Sequence, residues 1–182
     1  MRARFVTLSL SAGLAAALFG CAAGGPRATT TQPDAPLDTN AELIEYISNQ
    51  PHVAAEPAYR AVYILWKNEV YQGEFSNLAQ QLEGAKIVSA TWGLQPDSLL
   101  NRATVGYMLA RTCDIRSGLN WLLTGLGRYA WMELTYKRIA HPAGDLGLMS
   151  GGEFLGILAR AEEYLFERKG GEQVELGAEP GS

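Results

Sequence analysis

The chain reads as an all-α protein, a small helical bundle, on three observations. Strand alternation is nearly absent, helix caps and stops recur between residues 40 and 168, and one helix–loop–helix pattern occurs twice. That stretch of about 130 residues suits one domain with one core. Four segments are expected: a signal over 1–20, a linker over 21–40, the helical domain over 41–169, and a Gly-rich, acidic, disordered tail over 170–182.

The helices follow in order. Thr39 or Asn40 caps a helix over 41–48, and Pro51 prevents its continuation. Pro57 introduces a helix over 58–70 with Ala61, Val62, Leu65 and Trp66 on one side. The next, over 75–85, carries Leu78 and Leu82 four apart, followed by Ile87 and Val88. Asn101 caps a helix over 102–113, whose Val105, Met108, Leu109 and Thr112 have helical spacing. A turn at Gly118 precedes the short apolar stretch 119–123, and Gly125 and Gly127 punctuate the chain before a helix over 129–139. Ser150 with Glu153 forms a capping box that opens the last helix, which is expected to end near Phe166.

The repeat appears when two stretches are superposed. Leu99-Leu100-Asn101-Arg102-Ala103-Thr104-Val105, ending Leu109-Ala110-Arg111, matches Leu148-Met149-Ser150-Gly151-Gly152-Glu153-Phe154, ending Leu158-Ala159-Arg160, at an offset of 49. Upstream, Leu82 with Lys86-Ile87-Val88 matches Leu134 with Arg138-Ile139-Ala140 at an offset of 52, so the second loop is shorter. The copies span about 75–113 and 128–166. One such unit cannot cover its own apolar face and needs the other or a third partner. Residues 41–70 are a candidate for a degenerate third element.

The repeated unit resembles an S-layer homology domain. Gly93-Leu94-Gln95-Pro96-Asp97 followed by Leu100-Asn101-Arg102-Ala103-Thr104 is similar to that family's loop and second-helix start. The resemblance covers about half of the chain. It implies an all-helical fold of three repeats around a pseudo-threefold axis and a role in binding cell-wall polymer, with Arg102 in the place of the family's groove arginine. The second copy departs from the pattern, with Gly151 in that place.

The N-terminus supplies an address. Arg2 and Arg4 precede the apolar run 5–19, which is shorter than the roughly 20 residues of a membrane span. Leu18-Phe19-Gly20-Cys21 resembles the lipobox of bacterial lipoproteins, in which Cys21 is acylated and becomes the mature N-terminus; Phe19 departs from the usual small residue. An ordinary cleaved signal, cut after Ala22 or Ala23, is the alternative. Residues 22–40, rich in Ala, Gly, Pro and Thr, read as a flexible leash with a reach on the order of 25 Å. Ala22 after the cysteine resembles the sorting pattern that favours the outer membrane. The expected location is the envelope, lipid-anchored and facing the periplasm.

Without residues 1–20 the chain carries thirteen basic against nineteen acidic side chains, and nucleic acid is set aside as a partner. Acylation of Cys21 leaves Cys113 without a disulfide partner, on the apolar side of a helix, where it is expected to pack as a small hydrophobe. His52 and His141 lie beside prolines in loops, and neither His-x-x-x-His, Cys-x-x-Cys nor Gly-x-Ser-x-Gly occurs. No metal or cofactor is expected. Glu153, Glu162 and Glu163 could be read as the carboxylates of a wall hydrolase, but charged faces of amphipathic helices supply such groups routinely.

These features favour a non-enzyme: a membrane-anchored module that binds wall polysaccharide or an envelope protein. Trp92, Asp97 and Arg102 are the candidate contacts, and Asn101, Ser150 and Glu153 are structural caps. Of the four tryptophans, Trp92 is expected to be partly exposed and Trp66, Trp121 and Trp131 to lie in the core. The alternatives are a protein–protein scaffold without glycan affinity and a cell-wall hydrolase.

Overall fold

The computed structural model describes residues 26–27 and 39–177, with side chains through Arg168. Seven α-helices fill the described residues: α1 (Asn40–Ser48), α2 (Ala55–Lys67), α3 (Phe75–Gly84), α4 (Arg102–Thr112), α5 (Leu119–Thr124), α6 (Gly127–Tyr136) and α7 (Gly151–Gly177). The all-α class is as expected. Cys21 and the expected signal over 1–20 lie outside the described residues, as do 178–182.

The duplication is visible atom by atom. After α3, Lys86 adopts a left-handed conformation (φ 60°), and after α6, Arg138 does the same (φ 61°). Ile87 N–H and Val88 N–H then donate to the Leu82 carbonyl (2.9 and 3.3 Å), as Ile139 N–H and Ala140 N–H donate to that of Leu134 (2.9 and 3.1 Å). These are Schellman-type ends that satisfy the last carbonyls of each helix. Ile87, Val88, Ile139 and Ala140 are all buried.

A third unit completes the set. Leu100 N–H donates to the Val53 carbonyl (3.0 Å), Met149 N–H to that of Leu100 (3.0 Å), and Val53 N–H to that of Met149 (2.8 Å). The bonds form a closed ring of three, spaced 47 and 49 residues apart, and its members are 0–1% exposed. The helices that follow repeat the cycle: Ala55 N–H reaches the Ser98 carbonyl (2.9 Å), Arg102 N–H that of Gly147 (3.1 Å), and Gly151 N–H that of Gln50 (3.1 Å). The units are therefore α1–α2, α3–α4 and α6–α7. Each first helix packs on the second helix of a neighbour: α3 on α2, α6 on α4, and α1 on α7. Every unit thus covers a neighbour's apolar face, which one alone could not do.

Ala58 and Val62 of α2, Val105, Met108 and Leu109 of α4, and Phe154 and Ile157 of α7 form the centre. Each fully buried large side chain contributes about 1.5–3 kcal/mol. Close backbone approach requires glycine at Gly127, against Ala103, and at two further positions. A Cβ on Gly106 would stand 3.0 Å from the Trp131 backbone where α4 meets α6, and one on Gly151 would strike the Ile47 carbonyl where α7 meets α1.

Of the two residues expected to cap α1, Thr39 does so, its Oγ1 accepting from Glu42 N–H (3.2 Å). Several expectations are corrected. Helix α2 begins at Ala55 without a side-chain cap, its first amides being satisfied by the Ser98 and Pro96 carbonyls. The apolar stretch at 119 is a helix, and α6 spans Gly127–Tyr136 rather than 129–139. Helix α7 runs to Gly177, past the expected boundary of the acidic tail at 170, because propagation adds one hydrogen bond per residue once a helix is established. Of the expected linker, the described residues Pro26 and Arg27 lie against the domain: Leu99 N–H donates to the Pro26 carbonyl (2.8 Å), and Arg27 forms an isolated backbone bridge with Ser98.

Candidate functional site

The loop between α3 and α4 carries Trp92 and Asp97, Arg102 opens α4, and the structure does not bring all three together. A 3-10 turn at Ala90–Trp92, ended by Gly93 in the left-handed region (φ 56°), sets Trp92 half-buried against α4. Its ring meets Tyr107 edge-on (centroids 5.2 Å), and Tyr107 meets Trp121 likewise (5.4 Å). The Arg111 guanidinium lies over both Tyr107 (5.2 Å) and Trp121 (4.9 Å), a cation–π clamp on two rings. Tyr107 and Arg111 sit one turn apart on α4, a spacing that could have flagged them. Asp97, at the foot of the same loop, is exposed and lies 4.0 Å from Arg27.

Arg102 points away, into the α6–α7 unit. Its Nε and Nη2 donate to Glu153 Oε1 (2.7 Å) and Oε2 (2.9 Å), and Nη1 reaches the Gly144 carbonyl (3.4 Å). The bidentate bond raises the Arg102 pKa further and joins the starts of α4 and α7. The expected capping box at Ser150 is therefore half-made. Glu153 N–H donates to Ser150 Oγ (3.2 Å), while the Glu153 carboxylate serves Arg102 instead of returning to the cap. Asn101 caps α4 as expected, accepting from Thr104 N–H (2.8 Å).

Trp121 and Trp131 are core, and each indole N–H donates to a backbone carbonyl, Ile115 and Ala143 respectively (both 3.0 Å). Trp66 is not fully buried. It lines a groove of about 460 Å³ between α1, α2 and α7, together with Ile44, Ile64, Leu158 and Phe166, and Lys67 Nζ lies 3.9 Å from its ring centre. His52 and His141 are exposed. Among the described residues, no three His, Cys, Asp or Glu side chains are placed to hold a metal, and no helix is long and apolar enough to cross a membrane.

Cys113 is a core residue. It is fully buried, its Sγ lies 3.9 Å from the Ala161 carbonyl of α7, and burial pushes its pKa up to about 12. In the native chain it is expected to resist maleimide at pH 8 and to react only on unfolding, which mass spectrometry of the alkylated protein would follow. Next to it, Arg116 and then Arg168 hold the Asp114 carboxyl below its usual range. Arg168 also donates to the Cys113 carbonyl (3.0 Å), tying α7 to the end of α4.

Sequence reasoning missed Arg60. It is 3% exposed on α2, where its guanidinium donates to Glu56 Oε1 (2.7 Å) and to the Tyr71 (2.7 Å) and Gly73 (3.1 Å) carbonyls. This fixes the connection from the first unit to the second. The signal was Glu56 four residues ahead of an arginine flanked by Ala58, Tyr59, Ala61 and Val62.

Comparison of the chain with protein-family models, curated proteins and solved structures gave no match.

Proposed function

We propose that the protein is a lipid-anchored, non-enzymatic envelope module that holds cell-wall polymer through the Trp92–Asp97 loop of its second unit. The observation that carries this reading is the closed ring of Val53, Leu100 and Met149. Three units around a pseudo-threefold axis are what a resemblance to S-layer homology domains implies, and the resemblance was drawn from only two. The loop offers a half-buried indole beside an exposed carboxylate, a combination suited to stacking on a sugar ring while bonding its hydroxyls. Arg102 takes no direct part in this proposal, since Glu153 engages it.

Retention of the acylated chain on purified wall material tests the loop. Trp92→Ala is expected to weaken retention about tenfold, equivalent to about 1.4 kcal/mol, with Asp97→Asn having a smaller effect. Wild-type retention in both variants removes the loop from consideration. A scaffold for an envelope protein is the second reading, favoured by the groove around Trp66. Absence of wall binding, with membrane cross-linking that captures a single protein, selects it. A hydrolase built on Glu153 gains little support, because Arg102 occupies both carboxylate oxygens.

A further inference from the structure

Helix α5 is amphipathic the wrong way round for a soluble surface. Trp121 alone anchors it in the core, while Leu119, Leu122 and Leu123 face outward at 71%, 58% and 74% exposure. Leu126, just past the Gly125 turn, is 50% exposed. Scattered exposed leucines need no explanation, but four within eight residues on one ridge do.

We propose that this ridge inserts into the lipid bilayer to which the chain is anchored, so that the module is held at two points rather than hanging from a leash. The inference rests on the anchoring at Cys21 proposed above. Two observations select a bilayer as the occupant. The first is reach. Pro26 is bound to Leu99, so only four residues lie between Cys21 and the tie, and Cys21 can stand at most about 18 Å from Pro26. The Leu126 end of the ridge is the end nearer that tie: Gly127, which follows Leu126, lies against the Ala103 backbone, four residues from Leu99, while Trp121 and Leu122 lie along α4 towards Ile115.

The second observation is charge. In a chain with a net charge of −4, the Arg111 guanidinium lies over Trp121, Arg111 and Arg116 line one depression with Trp121 and Leu122, and Arg128 follows Leu126 by two residues. The carboxylates facing it are Asp114, paired with Arg116 and Arg168, and Glu133, bonded to Ser117. Leucines rimmed by arginines match a bilayer whose anionic headgroups lie above its acyl chains. Six helical residues are about 9 Å long, enough to lie in the interface and far too short to cross it.

The test uses the acylated full chain in vesicles of phosphatidylethanolamine and phosphatidylglycerol. A polarity-sensitive dye is attached at Leu123→Cys or, separately, at Ile44→Cys on the groove; both positions are exposed, and buried Cys113 stays unlabelled. With doxyl-labelled acyl chains, quenching at 123 is expected to exceed that at 44 by about threefold, as for a side chain 5–10 Å into the interface. Equal quenching at the two sites overturns the proposal. So does a concentration-dependent blue shift at 123 without quenching, which would assign the ridge to a second copy of the chain. Mass spectrometry of Cys21 separates the two levels. An acylated cysteine with an unquenched dye removes only the ridge insertion, whereas an unmodified cysteine removes the anchor and this inference with it.

Discussion

Gly151→Ala is expected to destabilise the protein by about 2 kcal/mol, although alanine is the better helix former. An added Cβ would strike the Ile47 carbonyl and stand 3.1 Å from that of Gln50, and both belong to backbone that cannot swing aside. Relief requires α1 and α7 to separate, which strains the Gly151–Gln50 bond and the Val53–Met149 edge of the ring. Overpacking of this kind costs about 1–3 kcal/mol, against a helix-propensity gain of at most about 1 kcal/mol. The neighbouring Gly152 is the control, since a Cβ there meets nothing within 4 Å. Gly152→Ala should be neutral or stabilise by a few tenths of a kcal/mol. Urea unfolding of the two variants checks the contrast. The same close approach explains why the α6–α7 unit has no arginine where the α3–α4 unit has Arg102: the α1 backbone occupies the space.

Arg60→Met is expected to have the largest effect, about 3 kcal/mol, or a fall in Tm on the order of 10 °C. Methionine keeps the apolar stem but removes four donated hydrogen bonds: two to Glu56 and one each to the Tyr71 and Gly73 carbonyls. A carboxylate and two carbonyls lose their donor together, and the connection between α2 and α3 is released. Arg60→Lys should recover only part of the loss, because an ammonium cannot serve three divergent acceptors in the plane of a guanidinium. Thermal unfolding of wild type and both variants measures the order.

The all-α class, the Asn101 and Ser150 caps and the 49- and 52-residue offsets were legible because each rests on local chemistry repeated in register. The third unit was not. It has no long loop, since only four residues separate Ser48 from Val53. Its helix start, Val53-Ala54-Ala55-Glu56-Pro57, keeps the buried ring residue but neither a capping side chain nor the arginine. What identifies it is a set of long-range backbone bonds, which leave no residue signature. The ridge on α5 was hidden for the opposite reason. Leu119, Leu122 and Leu123 have the spacing of a buried face, and only the fold shows that Trp121 takes the core side. The site was half legible: Trp92 is partly exposed as expected, while the partner that Arg102 has in the fold, Glu153, lies 51 residues away.

The claim on which the rest depends is that α1 and α2 form a third unit in a closed ring with the other two. Amide hydrogen exchange at Val53, Leu100 and Met149 tests it most directly, because those three N–H groups are the ring. The three are expected to exchange together at the rate of global unfolding, and Gly151→Ala should accelerate all of them in parallel. Exchange of Val53 orders of magnitude faster than Leu100 and Met149, with those two unchanged in the variant, would contradict a closed ring and leave a two-unit bundle with an appended pair of helices.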